Sequence, residues 1–508
     1  MSLTYGDNSV AVTAKTGRIL IVGDSIIYSW AQYLPRVLPW PMRGINPSFG
    51  MFSAGVTVGC DSGLGAVPGI TASYGTLGTP ADGSMWIGGS RAFTFTFTTG
   101  QTTPGYTYPT QYRILDSFPC TVGQINTFDA LSPTLKARII YYQHPNGKNG
   151  VRICTTRNGG VGGYYPNQNV FSLNTQGAAG LQTVEYAVPI DPKRSNNSAA
   201  ELIIQSTAST NSGEQLIIQD VLWYDPAVTG YTLTSIATGG FWLEDFLNTG
   251  NLGRPKAFTD DAAYQAWWNA MGGFDVVILA ACWNGNQTTA DIGRLIAKYR
   301  QFNPACKFIV CSYYRTGETN IAFSAVPTAI CPLYDINRAG SLTWTAATKT
   351  LSSAFADFPG PYLPNSDFAY VTGSGITEGW YQIVSGNGST SITLTGSVAA
   401  GNVSGVSVNS IGRIAADDIA GTTGNWCATF ASSIEALADS TPGVLIVRLR
   451  EGCGSFASAI VNINKSDGIH PSNEVAKLHV AGVFAAAMEE ALVDTGRVIT
   501  SAGAFRKD

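Results

Sequence analysis

The chain has 508 residues, enough for more than one domain and for a large buried core. Only 13% of them are charged and the formal net charge is -4, so there is no basic excess of the kind that nucleic-acid binding requires. Low charge with 57 glycines and plentiful Ser, Thr and Asn suits β-rich, loop-rich extracellular or virion proteins better than a typical cytosolic enzyme.

The nine cysteines stand singly with no C-x-x-C pair, which gives no support to zinc or thioredoxin-like chemistry, and no metal or cofactor is implied. Cys282, Cys306 and Cys311 lie in apolar runs, where a free thiol behaves as a small core residue. The N-terminus lacks a charged segment followed by an apolar one, and no apolar run reaches the length of a membrane span. A soluble product made without a signal peptide, and with no membrane insertion, is the expectation.

Residues 1–17 are polar and turn-rich, a loose lead-in. Ile19 to Val22 is a short continuous apolar run, which suits a strand buried on both faces of a parallel sheet. It stops at Gly23-Asp24-Ser25, and Ile26 to Leu38 can form a helix ended by Pro39 and Pro41. From Gly44 helical periodicity vanishes. Arg91–Thr98, Lys136–Tyr142, Leu181–Val188, Glu201–Gln205 and Gln215–Trp223 alternate with period two and read as half-buried strands of a two-sheet β-sandwich. The last two resemble the closing strands of a jelly-roll carbohydrate-binding module, on alternation alone.

At Tyr231 the pattern returns to alternating strands and helices. Tyr231–Ala237 is a strand, Gly239-Gly240 opens a helix reaching Leu247, and Asp260–Met271 is a helix with Trp267 and Trp268 in the core. Asp275–Cys282 is the most apolar strand, Thr288–Phe302 a helix with Ile292, Leu295, Ile296 and Tyr299 on one face, and Lys307–Tyr313 a further strand. Such alternation implies a parallel, doubly wound α/β sheet. A second interruption, about 336–410, reads as a small β-barrel or hairpin module, of a Gly-rich texture frequent in bacteriophage structural proteins. Ala428–Ala438 is helical, Val444–Arg448 a strand, and Pro471–Leu492 the closing helix. The expected organisation is a core of 1–43, 231–335 and 411–508, interrupted by a β-sandwich at 44–230 and a small β module at 336–410.

Before the closing helix stands Asp467-Gly-Ile-His470-Pro471, which places a carboxylate and an imidazole in one loop. An imidazole with a carboxylate neighbour can take a proton from a serine hydroxyl, the carboxylate fixing its tautomer. The only other histidines are His144, in a Pro-Asn-Gly turn, and His479, mid-helix, so His470 is the candidate base. Taken alone, Gly-Asp-Ser is an ordinary turn and D-x-x-H an ordinary loop pair.

Taken together they resemble the SGNH hydrolase (GDSL-type esterase) family at four separated places. Gly23-Asp24-Ser25-Ile26 is similar to its nucleophile block, with Ile26 where Leu is usual. Ser235-Ile-Ala-Thr-Gly239-Gly240 is similar to its second block, with Gly240 aligned and Gly239 an open alternative. Cys282-Trp283-Asn284-Gly285 departs from the usual Gly-x-Asn-Asp of the third block, and Asp467 and His470 match the last. The resemblance covers about half the chain, does not reach the β insertions, and implies a flavodoxin-like core. It also implies Ser25, His470 and Asp467 as catalytic residues, and Ser25, Gly240 and Asn284 as oxyanion-hole donors.

With that composition, a serine esterase removing O-acetyl groups from a polysaccharide is the expectation, with Trp283 either a stacking wall for a sugar ring or a core indole. Two alternatives stay open: a lipase or arylesterase preferring longer acyl chains, and an inactive receptor-binding or structural phage protein. Homo-oligomerisation or membership of a phage tail is expected with an extracellular virion location, and a cytoplasmic one otherwise. Asp24 is read as a brace of the loop rather than as the acid of the triad.

Overall fold

The computed structural model describes residues 11–31, 33–45, 58–60, 70–73, 93–97, 110–113, 134–147, 151–156, 171–187, 201–206, 215–236, 261–280, 288–312, 330–354, 367–386, 390–414, 423–455, 458–459, 463 and 469–500. They fall into two compact units. The first comprises 1–310, 441–445 and 484–508, the second 311–440 and 446–483.

The first unit is built on a strand whose carboxyl end is wholly buried. Ile19, Leu20, Ile21 and Val22 have no exposed surface. Ala11–Val22 pairs in parallel with Tyr231–Ser235 on one side and with Val276–Leu279 on the other. Met42–Ile45 and Lys307–Ser312 extend the parallel set outward. A strand with neighbours on both edges and apolar cover on both faces reads in sequence as the uninterrupted run seen here.

The sheet as a whole is mixed, not parallel. Beyond Met42–Ile45 it continues through Gln215–Tyr224, Lys136–Gln143 and Gly180–Ala187, all antiparallel. Four of the five alternating segments read as strands of an insertion, the first of them Phe93–Phe97, therefore belong to the same sheet as the central strands or to its branch, the fifth, Glu201–Ser206, lying elsewhere. It joins a separate five-stranded antiparallel sheet with Val58–Cys60, Thr110–Arg113, Val151–Thr156 and Phe171–Leu173. Backbone hydrogen bonds thus carry the core sheet straight into the β-rich region.

Residues 11–16 are not a loose lead-in. They pair antiparallel with Val493–Thr500, from Thr16 opposite Val493 to Ala11 opposite Thr500. The helix expected over Ile26–Leu38 is also divided, into Ser25–Ala31 and Leu34–Val37. Pro35 at the start of the second piece has no N–H to continue the first, so the break falls just before it.

The helices of this unit bury the faces their sequences show. Ile292, Leu295, Ile296 and Tyr299 of Thr289–Phe302 are buried, and Thr288 and Asp291 form a reciprocal capping box at its start. Trp267 and Trp268 of Asp261–Ala270 are buried against Phe274, and Trp268 also meets Tyr299 and Phe302. The Tyr264 and Tyr299 hydroxyls satisfy each other at 2.9 Å inside this aromatic cluster. No described helix is long and apolar enough to cross a membrane.

The second unit contains a closed antiparallel barrel of Ile330–Thr345, Thr350–Ser352, Ser391–Leu394, Gly379–Ser385, Asp367–Thr372 and Val403–Ile414. Closure leaves no free edge along its strands. Its interior is filled by Leu342, Trp344, Leu351, Ala369, Val371, Ile383, Ile392, Leu394, Val398, Val406, Val408 and Ile411, so it is a packed core rather than a channel. Arg413 and Asp367 sit opposite each other across two strands, both with no exposed surface. Arg413 Nε donates to Asp367 Oδ1 at 2.6 Å and a second guanidinium nitrogen to Oδ2 at 3.0 Å.

That pair generates a prediction. Arg413→Met leaves a carboxylate buried without its cation and should cost about 3–5 kcal/mol of stability, read from urea unfolding. The double variant Asp367→Leu/Arg413→Met removes both charges and should recover most of that loss. Equal destabilisation of the single and double variants would show that packing volume, not charge pairing, decides.

Candidate functional site

The turn at the end of the buried strand is tightly specified. A Cβ on Gly23 would come within 2.5 Å of Ile27 Cγ2 and 3.3 Å of Ala280 Cβ, so only glycine lets the strand end pass this close to its neighbours. Asp24 is 1% exposed, and its Oδ1 accepts the N–H of Ile26 at 2.9 Å. It braces the turn as the sequence suggested, satisfying one of the N–H groups that every helix start leaves open. Ser25 is the first residue of the helix Ser25–Ala31, whose Trp30 packs on Phe484 at 4.3 Å.

The parallel ladder runs past the strand ends on both sides of this turn. Ile236 N–H donates to Ile21 O at 2.8 Å, and Ala280 N–H donates to Val22 O at 3.0 Å. Three adjacent strands, with the Ser25 strand in the middle, therefore finish side by side and in register. Gly240 follows Ser235 by five residues and Asn284 follows Leu279 by five, but both lie outside the described residues, as do Gly239, Trp283 and Asp467.

His470 belongs to the second unit and is described there in its own frame. It is half-buried, on the loop that leads into the helix Glu474–Ala491. The helix does not start at Pro471. Asn473 precedes it, with Oδ1 accepting Ala476 N–H at 2.9 Å and its carbonyl accepting Lys477 N–H at 3.0 Å. Pro471 is buried two residues earlier, because a side-chain acceptor at Asn473 takes the cap position. Ser472 N–H donates to Ile463 O at 2.6 Å, so the chain from 463 to 472 is closed at its neck. His470 stands two residues before Ser472.

The two other histidines have structural surroundings. His144 is buried, and its carbonyl accepts the N–H groups of Gly147 and Gly177. His479 is an exposed mid-helix residue whose Nε2 donates to Gly452 O at 3.0 Å. Burial pushes the thiols of Cys306 and Cys453 up to about 12, which leaves them protonated and poorly nucleophilic near neutral pH. Among the described residues no group of three or more His, Cys, Asp or Glu is placed to hold a metal ion. Asn473 and the neck at Ile463–Ser472 are the parts of this region that sequence reasoning missed. The Asn three residues before a small helical residue was the available signal for the cap.

No protein-family description and no curated protein matches the sequence. Among solved structures, the chain is similar to a peptidoglycan O-acetylesterase at 10% identity and a TM-score of 0.42, over 94% of this chain and 91% of that one. It is similar to a family two carbohydrate esterase from Clostridium thermocellum, in complex with cellohexaose, at 13% identity and a TM-score of 0.16, over 37% and 70% of the two chains. A CBM4 structure matches at 13% identity and a TM-score of 0.19, over 31% of this chain and 94% of that one.

The Asp24 brace is testable on its own. Asp24→Ala removes the acceptor for Ile26 N–H and should destabilise the protein by about 1–2 kcal/mol, measured by thermal unfolding. Asp24→Ser retains a cap oxygen and should lose only a fraction of that. If Ser is as damaging as Ala, the carboxylate is not acting as a helix cap.

Proposed function

We propose that the protein is a serine esterase of the SGNH type, with a flavodoxin-like core, that removes O-acetyl groups from a polysaccharide. One observation carries the reading. The Ser25 turn ends the middle strand of three adjacent parallel strands, and the chain leaves its two flanking strands toward Gly240 and Asn284. In open α/β sheets ligands bind outside the carboxyl ends of such strands.

In this reading Ser25 Oγ attacks the ester carbonyl while His470 accepts its proton, with Asp467 orienting the imidazole. The oxyanion is held by the N–H groups of Ser25 and Gly240 and by the Asn284 amide. Each such donor is worth ~10²–10³ in turnover. His470 then passes the proton to the leaving alcohol, and water, deprotonated by His470, hydrolyses the acyl-enzyme. Trp283, one residue before the oxyanion asparagine, is the stacking wall for the sugar ring that carries the ester. The low charge and the β-rich region continuous with the core sheet support an uncharged, extended substrate over a lipid.

The test is acetate release from a panel of acetylated polysaccharides, wild type against Ser25→Ala. The variant should lose roughly 10⁴-fold or more in turnover while staying folded. On nitrophenyl esters, activity should be highest for acetate. Unchanged release by Ser25→Ala would remove the catalytic assignment, and activity rising beyond butyrate would turn the reading toward a lipase or arylesterase.

A further inference from the structure

We infer that Asn473 is a positioning residue for His470, an inference that rests on the esterase reading above for its effect on turnover. Three observations converge on it. His470 stands three residues before Asn473, on a stretch whose neck is closed by the Ser472 N–H to Ile463 O hydrogen bond. Asn473 immediately follows that neck and ties it to the helix through two hydrogen bonds, Oδ1 to Ala476 N–H and its carbonyl to Lys477 N–H. Pro471, between the histidine and the neck, is buried and has a fixed φ, so it passes the orientation of the neck on to His470 with little slack.

The other side of the neck is equally anchored. Ile463 is buried, and its N–H donates to Ala459 O at 2.8 Å, while Ala459 N–H donates to Ser455 O at 2.9 Å. The helix itself is fixed by the His479 bond to Gly452 O. Ile463 and Ser472 are therefore each held by backbone hydrogen bonds, and the Asn473 side chain is the support that can be removed without opening the backbone. A base displaced by a fraction of its hydrogen-bond length loses turnover steeply, while ground-state substrate binding is unaffected.

The experiment compares wild type with Asn473→Ala, Asn473→Gly, Asn473→Asp and Ala486→Gly. Glycine at a cap retains most helix stability but has no side-chain acceptor, and aspartate restores the acceptor. Ala486 is exposed in the middle of the same helix, so its glycine variant weakens the helix without touching the neck. Asn473→Ala and Asn473→Gly should lower kcat by about 10- to 100-fold with KM nearly unchanged, and Asn473→Asp should recover most of it. Ala486→Gly should leave kcat within about twofold at a temperature where it is folded. Should Asn473→Ala fail to fold, the glycine variant carries the comparison.

A second readout is independent of turnover. The chain has three histidines, so the His470 imidazole can be followed by NMR titration and assigned with His470→Gln. Its titration midpoint should move in Asn473→Ala and Asn473→Gly and stay in Ala486→Gly. If Ser25→Ala retains full activity, the esterase reading fails, and the titration alone decides the role of Asn473. An unmoved midpoint, or an equal loss of kcat in Ala486→Gly, overturns the inference.

Discussion

Everything in the first unit depends on one strand having two parallel partners. Ile19 to Val22 gives its backbone to Tyr231–Ser235 and to Val276–Leu279, and its side chains are wholly buried. Each such side chain contributes about 1.5–3 kcal/mol of burial, and each backbone group finds a partner that water cannot replace. Shifting the strand by one residue would break both ladders and move the turn that follows it. The turn it carries is fixed as a consequence. A Cβ at Gly23 would meet Ile27 Cγ2, the Asp24 carboxylate accepts the open N–H of Ile26, and Trp30 of the helix packs on Phe484.

The β-rich region grows from the same sheet. Met42–Ile45 pairs in parallel with Tyr231–Ser235 on one side and antiparallel with Gln215–Tyr224 on the other, so it is the strand where the two regimes meet. Arg138 and Glu185 mark the antiparallel wing from outside. The Tyr224 hydroxyl and then the Arg138 guanidinium, both donating to the Glu185 carboxylate, lower its pKa from the ordinary value. The barrel of the second unit is stabilised differently, by closure and by a packed aliphatic interior with one buried charge pair at Asp367 and Arg413.

Much of this was legible in the sequence because side-chain period reports burial. The continuous run at Ile19–Val22, the alternation at Lys136–Gln143 and Gln215–Tyr224, and the helical face of Ile292, Leu295, Ile296 and Tyr299 each matched their elements. The misses are places where backbone hydrogen bonding decides instead. Ala11–Thr16 is held in the sheet by pairing with Val493–Thr500, which a polar lead-in pattern does not reveal. Pro471 is a good first-turn residue, yet Asn473 offers a side-chain acceptor and the helix begins after it. The antiparallel strands read as a separate sandwich in sequence yet join the parallel core sheet, because alternation along a strand does not say which neighbour it takes. At the candidate site, the strand end and the Asp24 brace were readable from the turn chemistry. The neck between Ile463 and Ser472 was not, since a single backbone hydrogen bond between distant residues leaves no mark on composition.

The central claim is that the strand end presents Ser25 as a nucleophile served by His470. Covalent labelling with a fluorophosphonate, followed by peptide mass spectrometry, tests it most directly, because the reagent reports an activated serine whatever the natural ester. The account predicts one adduct, on the peptide containing Ser25, formed in the native protein and lost when His470 is replaced by Ala. An adduct on another serine, or labelling of Ser25 that is equally fast without His470, would contradict it.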